Sequence, residues 1–213
     1  LPLYILYLKT DNDKEYQTMD QYVKYHKSAL EITDDLFKEL WDLMDIVPFT
    51  PNPMNKKYNI KRKQGTFGSS YAFGAQVSHQ LKGDNYEDWP ELVLKVLEHT
   101  RQISGCDLYN VVHVNWYPDG TAGLDPHSDD MRKMVPNMDI YSYTFLSKHG
   151  TPRGFQVYDK KTNEQVHEFM LDHGDLLIMT AEMQNKYKHG VKKSTAKKYR
   201  NLKRINLTVR AWA

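Results

Sequence analysis

The segment Arg204-Ile205-Asn206-Leu207-Thr208-Val209-Arg210 alternates strictly between polar and apolar residues. Alternation with period two predicts a β-strand whose two faces meet different surroundings. Ile205, Leu207 and Val209 share the face that seeks a core, and Arg204, Asn206, Thr208 and Arg210 share the other. A surface strand with a basic outer face is one reading. The other is a strand that lines a ligand-filled interior. Two guanidiniums flanking a carboxamide and a hydroxyl suit a small dicarboxylate, because arginine offers planar, bidentate donors to carboxylates. The stretch Val111-Val112-His113-Val114-Asn115-Trp116-Tyr117 repeats the pattern, with Asn115 and Tyr117 on one side and Val112, Val114 and Trp116 on the other.

His127-Ser128-Asp129 follows this second strand. On extended backbone, residues i and i+2 point to the same side, so His127 and Asp129 can reach one ion together. A third ligand must then come from another strand, which allows it to lie far downstream. His189 is the candidate, and His173 competes because it also precedes a strand. Two imidazoles and one carboxylate are the donor set of the facial triad of non-haem Fe(II) sites. A bare His-x-Asp is common by chance; the polar-lined strands around it give it weight. His113 shares a face with Asn115 and reads as a neighbour of the site or as a hydrogen-bonded core histidine.

The rest of the chain supplies few helices and many short strands. Residues 33–44 read as an amphipathic helix, with Thr33 as N-cap and Asp34 and Asp35 at the positive end of its dipole. Leu36, Leu40 and Leu43 form its apolar stripe, joined by Phe37, Trp41 and Met44. A second helix is predicted from Pro90 to Ile103, capped by Asp88 and stopped by Gly105. Short alternating runs follow at 109–117, 139–146, 153–158, 165–171, 175–180 and 203–212. Gly120, Gly150, Asn163, Gly174 and Gly190 are predicted turns between them. Helices ahead of a succession of antiparallel strands suggest an α+β fold with a β-sandwich or jelly-roll core.

At 213 residues the chain fits one domain, 1–213, or a domain with a lid. Its 40% hydrophobic and 12% aromatic content excludes a disordered chain. Cys106 is the only cysteine, so no intrachain disulfide and no cysteine-based metal site can form. A reducing compartment, nucleus or cytoplasm, is the expectation. No apolar run approaches the roughly 20 residues that cross a bilayer, so no membrane partner is expected. The opening Leu1 to Leu8 lacks the basic start of a signal peptide and reads as a strand. The missing initiator Met suggests a trimmed chain, and a monomer is expected.

Net charge is only +2, but the cations are clustered. Lys56, Lys57, Lys61, Arg62 and Lys63 form one acid-free group. Lys186, Lys188, Lys192, Lys193, Lys197, Lys198, Arg200 and Lys203 form another, beginning beside His189. Such runs are either solvated faces or a rim that contacts phosphates.

These segments together resemble the AlkB family of Fe(II)- and 2-oxoglutarate-dependent nucleic acid dealkylases. The resemblance is carried by Asn115-Trp116-Tyr117-Pro118-Asp119-Gly120, His127-Ser128-Asp129-Asp130, Gly174 to Met179, Tyr187-Lys188-His189-Gly190 and Arg204 to Arg210. Arg62-Lys63-Gln64-Gly65-Thr66-Phe67-Gly68, followed by Tyr71-Ala72-Phe73, is similar to the nucleotide-recognition region of the animal DNA-repair homologues. The Tyr-Lys-His-Gly context favours His189 over His173. The resemblance implies a double-stranded β-helix (jelly roll) with N-terminal helices, a nucleotide-recognition lid at about 46–87 and a catalytic core at about 106–213.

It further implies Fe(II) on His127, Asp129 and His189, with 2-oxoglutarate as co-substrate. Arg204, Asn206 and Tyr117 would hold the distal carboxylate; Arg210 and Asn115 would meet the carboxylate beside the keto group. The implied reaction is oxidative demethylation of alkylated DNA or RNA, on bases such as N1-methyladenine or N3-methylcytosine. Formaldehyde and succinate would be released. Tyr71 and Phe73 resemble aromatic residues near a flipped base, and Asp130 resembles an acid that faces it. A cationic alkylated base would be favoured by such a carboxylate and by aromatic faces. Arg62, Gln64 and Thr66 would contact the nucleotide or shape the lid. Duplex-preferring relatives carry an aromatic wedge where this chain has Pro53-Met54-Asn55, so either Met54 is an apolar wedge or the lid is smaller and prefers single strands. A 2-oxoglutarate oxygenase acting on protein or lipid, and a non-catalytic nucleic acid binder on the same fold, are the alternatives.

Overall fold

The structure is a computed structural model and describes residues 19–52, 55, 57–69, 72–73, 76–77, 79–147 and 150–213. The strand expected over 1–8 lies outside the described residues, as do Met54, Lys56 and Tyr71. In chain order the strands and helices are β1 (Val23–His26), α1 (Asp34–Asp45), β2 (Lys63–Phe67), β3 (Ala72–Phe73), β4 (Gln76–Val77), β5 (His79–Lys82) and α2 (Glu91–Ser104). There follow β6 (Val111–Tyr117), β7 (Leu124–His127), β8 (Ile140–Leu146), β9 (Arg153–Asp159), β10 (Gln165–Leu171), β11 (Asp175–Met179), α3 (Ala181–Lys186), β12 (Tyr187–Val191) and β13 (Arg204–Arg210).

Two sheets face one another. The larger has seven strands in the order β1-β11-β8-β13-β6-β2-β5, and the smaller has four, β10-β9-β12-β7. From β6 onward the chain passes repeatedly from one sheet to the other, which winds a double-stranded β-helix as expected. The pairings are antiparallel except β2 with β5. No helix among the described residues is long and apolar enough to cross a membrane.

The alternation in β13 sorts the larger sheet into two chemically different faces. Ile205, Leu207 and Val209 lie opposite Trp116, Val114 and Val112 on β6, and opposite Phe145, Tyr143 and Tyr141 on β8. This apolar face packs on α1 and α2 through Phe37, Leu40, Trp41 and Met44 and through Leu92, Val93, Val96 and Leu97. Trp41 lies 4.6 Å from Trp116 between ring centroids. Each such buried side chain contributes roughly 1.5–3 kcal/mol, so this layer carries most of the hydrophobic stabilisation. The polar face points at the smaller sheet, and there Asn206 lies opposite Asn115 and Thr144, and Thr208 opposite His113 and Ser142.

Thr33 caps α1 as expected, its hydroxyl accepting from the Leu36 N–H at 3.4 Å. The stripe sits slightly rotated: Phe37, Leu40, Trp41 and Met44 are buried, whereas Leu36 and Leu43 lie at its margin. Gly105 ends α2 in the left-handed region at φ 65°. Asp88 does not cap that helix; it lies in a 3-10 turn, Tyr86–Asp88, and accepts from the Asn85 carboxamide at 3.3 Å.

Gly190 is a second correction, for it lies inside β12 rather than at a turn. Its reason is steric. A Cβ there would stand 2.6 Å from the Leu124 carbonyl oxygen of β7, so only glycine lets the two site-bearing strands approach. Gly190→Ala is therefore expected to lower stability by roughly 1–3 kcal/mol, the usual cost of overpacking. A urea denaturation midpoint unchanged from that of the parent protein would refute this.

Candidate metal centre

His127 and His189 face each other directly across the β7–β12 pair, with ring centroids 4.5 Å apart. Asp129, just past the end of β7, turns its Oδ1 to 3.5 Å from His127 Nε2 and 3.8 Å from His189 Nε2. One donor atom from each residue falls within 4.8 Å of the other two. Two imidazole nitrogens and one carboxylate oxygen on one side of a space match the facial donor set that suits Fe(II). His127 Nδ1 lies 3.1 Å from the Asp125 carbonyl oxygen, which orients the ring with Nε2 toward Asp129.

Neighbours that sequence reasoning missed hold this arrangement. The Asp129 N–H donates to Gln184 Oε1 at 2.9 Å, and Gln184 is a buried residue of α3. Ser128 Oγ donates to the Tyr187 carbonyl at 2.7 Å, tying the end of β7 to the start of β12. The Phe155 ring stacks on His189 at 5.2 Å. His173 lies elsewhere, in the turn between β10 and β11, its Nδ1 2.7 Å from the carbonyl of Leu146 at the end of β8. Thr66 Oγ1 meets buried His113 at Nδ1, 3.3 Å away.

Arg210 reaches Asp129 from β13. Its Nη2 donates to Oδ2 at 2.7 Å, and both side chains are only 4% exposed. Burial alone would raise the Asp129 carboxyl, but Arg210 and the two histidines hold it well below the usual carboxylate range. Burial lowers His189 to about 3, helped by His127, so its imidazole is neutral and its nitrogen is free to ligate.

Two further guanidiniums, those of Arg204 and Arg153, are buried. Arg204 Nη2 donates to Thr144 Oγ1 at 3.2 Å, and its Cζ lies 4.8 Å from the Tyr117 ring centroid. Its Nε and Nη1 find no acceptor among the described residues. Arginine carries donors only, so this buried pair of N–H groups fits an incoming carboxylate such as that of a keto diacid. Burial pulls the Arg204 pKa down while Tyr117 opposes it. Arg153, also buried, donates instead to main-chain oxygens of Gly120 at 3.0 Å and Lys192 at 2.8 Å.

Other expected site residues are differently engaged. Asn206 gives its Nδ2 donors to Ser142 Oγ at 2.9 Å and the Tyr143 carbonyl at 2.7 Å, bracing β8. Arg62 is not part of an exposed basic rim: it is 5% exposed and donates to Asn115 Oδ1 at 2.6 Å. Lys63 is buried too, its Nζ between the Phe49 and Trp116 rings at 4.7 and 4.5 Å. Asp130 is held by exposed Arg132, whose Nε lies 2.9 Å from Oδ1. Lys192, Lys193, Lys197, Lys198, Arg200 and Lys203 are exposed, as the expected rim requires. Phe73 belongs to β3; the expectation for its side chain lies outside what the structure describes.

Removing one partner of the Asp129–Arg210 pair leaves a buried charge uncompensated. Arg210→Met should cost about 3–5 kcal/mol in the metal-free protein. Acidification should act in the same direction. Between about pH 6.5 and about pH 3, unfolded chains bind a proton at His189 that the folded chain refuses, so stability falls as pH drops. Asp129, ionised in the folded state below the unfolded carboxylate pKa, adds to that loss. A denaturation series from neutral to acid pH showing flat stability would contradict both assignments.

Comparison with known proteins is consistent with this geometry. A family model described as the 2OG-Fe(II) oxygenase superfamily matches residues 19–210. The DNA oxidative demethylase ALKBH2 of Mus musculus is 25% identical, the alignment covering 97% of this chain and 77% of that protein. The Homo sapiens protein of the same name is 24% identical, with 97% and 70% covered. The solved structure of OsALKBH1 superposes with a TM-score of 0.60 at 17% identity, over 88% of this chain and 97% of that one, a likeness of fold. The chain belongs to the 2OG-Fe(II) oxygenase superfamily, with AlkB-family relatives, and is a dioxygenase whose cofactors are Fe(II) and 2-oxoglutarate.

Proposed function

We propose that this enzyme oxidatively demethylates N-alkylated bases in DNA or RNA, acting inside the cell, in nucleus or cytoplasm, as a monomer. The convergence of His127, Asp129 and His189, with the unsatisfied donors of Arg204 on the strand whose Arg210 meets Asp129, carries the reading. The similarity to proteins named DNA oxidative demethylase supplies the substrate class. His127, Asp129 and His189 hold Fe(II). Arg204, Asn206 and Tyr117 anchor the distal carboxylate of 2-oxoglutarate, and Asn115 and Arg210 flank its other end. Bound together, the metal and the keto acid supply the chemistry that hydroxylates an N-methyl carbon with O₂, releasing formaldehyde, succinate and CO₂.

The protein's own contribution is placement and exclusion of water. Ion-paired Asp129 stays a carboxylate, and neutral His189 stays a donor, without taking protons from the reaction. On the substrate side, residues 46–87 form the recognition lid, with Met54, Tyr71 and Phe73 contacting the nucleotide and Gln64 shaping the lid from its place beside Arg62. Asp130 meets the base. Its present partner Arg132 has a side chain 83% exposed, so a cationic alkylated base can take over that carboxylate at small cost. The exposed lysines following β12 provide the phosphate-contacting rim.

The deciding experiment is a mass-spectrometric panel of single- and double-stranded DNA and RNA oligonucleotides carrying methyl lesions. Methyl loss dependent on Fe(II) and 2-oxoglutarate, with stoichiometric formaldehyde, is expected, and His127→Ala should abolish it. Turnover of 2-oxoglutarate with every oligonucleotide left intact would instead favour a protein or lipid substrate. Ligand linkage adds a stability test. Saturating 2-oxoglutarate with inert Mn(II) should stabilise the protein by about 2.7 kcal/mol at a hundredfold excess over Kd, by supplying Arg204 with its acceptor. Arg204→Met should lose that increment.

A further inference from the structure

Arg62 stands outside the reaction described so far. Residues 62 to 67 alternate like any strand. Lys63 turns to the helix side, under Phe49 and Trp116, so Arg62 and Gln64 turn to the polar face. There the Arg62 guanidinium is almost wholly buried and meets no carboxylate in an ion pair among the described residues. Nη1 donates to Asn115 Oδ1 at 2.6 Å. The Gln64 carboxamide, directly across the strands from Asn115, lies against the same guanidinium, and its oxygen belongs on that side because arginine needs acceptors.

This fixes something that a carboxamide alone leaves open. The two ends of Asn115 are nearly the same size and opposite in character, so the side chain can present either an acceptor or two donors to a ligand. Arg62 accepts nothing and therefore captures the oxygen. The Nδ2 end is then turned away from Arg62, and its two donors serve the polar face beside His113 and an oxygen of a bound acid. With the amide reversed, the carbonyl oxygen would face a carboxylate and repel it. A nucleotide phosphate, by contrast, would have to enter a position that is 5% exposed and already filled by two carboxamides.

We propose that Arg62 is a positioning residue for the co-substrate, holding the Asn115 carboxamide donor-side toward 2-oxoglutarate and thereby linking the recognition segment to the co-substrate pocket. The inference rests on the 2-oxoglutarate site assigned above. Because Arg62 immediately precedes β2, and β2 is paired along β6, any displacement of that segment by substrate would be felt at Asn115.

The test is a double-mutant cycle read by calorimetric titration of 2-oxoglutarate into Mn(II)-loaded protein, which requires no turnover. Arg62→Met is expected to weaken 2-oxoglutarate roughly tenfold, the loss of one charge-assisted hydrogen bond. Mn(II) affinity should be unchanged, because the three metal ligands are untouched. In an Asn115→Ala background the Arg62→Met effect should vanish, since Arg62 acts through that amide. Arg62→Lys, which keeps a cationic donor without the fork, should fall between, and it replaces the methionine variant in the cycle if the latter does not fold. Asn115→Asp should retain the Arg62 contact as an ion pair yet lose 2-oxoglutarate binding. Undiminished 2-oxoglutarate affinity in Arg62→Met with weakened oligonucleotide binding would overturn the proposal in favour of a nucleotide contact. So would an Arg62 effect that persists in Asn115→Ala. Should the parent protein bind 2-oxoglutarate but demethylate no oligonucleotide, the demethylase reading fails and the Arg62 assignment stands.

Discussion

The buried ion pair between Asp129 and Arg210 is the contact on which the site depends. It joins the C-terminal strand of the larger sheet to the turn that leaves the smaller one, and so fixes the gap between the two sheets where the histidines meet. Taking both charges out of water costs several kcal/mol per ion, and a well-packed apolar pair would serve stability better. What the pair secures is chemical. Asp129 keeps its charge, directs Oδ2 to the guanidinium and leaves Oδ1 toward the two imidazoles. A single carboxylate thus serves two partners, with Gln184 fixing its backbone from behind.

The same division runs through the whole larger sheet. One face is a continuous apolar layer against α1 and α2, and its burial offsets an opposite face that carries hydroxyls, carboxamides and guanidiniums where a core would normally be dry. Those polar groups are mostly satisfied across strands: Thr144 with Arg204, Ser142 with Asn206, Arg62 with Asn115. Arg153 gives its Nη2 to main-chain oxygens, whereas Arg204 keeps both Nε and Nη1 without an acceptor among the described residues. Buried donors left without an acceptor on a polar, ligand-sized face are where an anionic ligand fits.

The strands that were legible in the sequence are those whose two faces differ. β6, β8, β9, β10, β11 and β13 end within a residue or two of the alternating runs, because one side of each meets apolar packing. β7 and β12 were not among those runs. Leu124-Asp125-Pro126-His127 and Tyr187-Lys188-His189-Gly190-Val191 are composed for the metal site and for close approach, and Gly190 imitates a turn residue while serving as a spacer. The donor set itself was readable, since His-x-Asp on extended backbone is a local pattern. Its supports were not: Gln184 sits on a six-residue helix, and Thr144 and Arg153 belong to strands with no ligand motif. Arg62 and Lys63 looked like surface cations because composition is blind to which side of a strand a residue takes.

That last misreading bears on how recognition and chemistry are joined. A lid attached by a flexible linkage could open without consequence for the metal site. Here β2 is hydrogen-bonded along β6, with Lys63 opposite Trp116, Gln64 opposite Asn115 and Thr66 opposite His113, and β5 extends the same sheet in parallel. The segment proposed for recognition is therefore an outward continuation of the sheet whose polar face carries the proposed co-substrate residues. Shifting its register by one residue would turn Arg62 and Gln64 to the helix side and Lys63 to the interior, undoing the Asn115 contact and the aromatic clasp on Lys63 together. Position along this strand cannot drift in small steps, so the segment and the pocket it borders must be formed or lost as one unit.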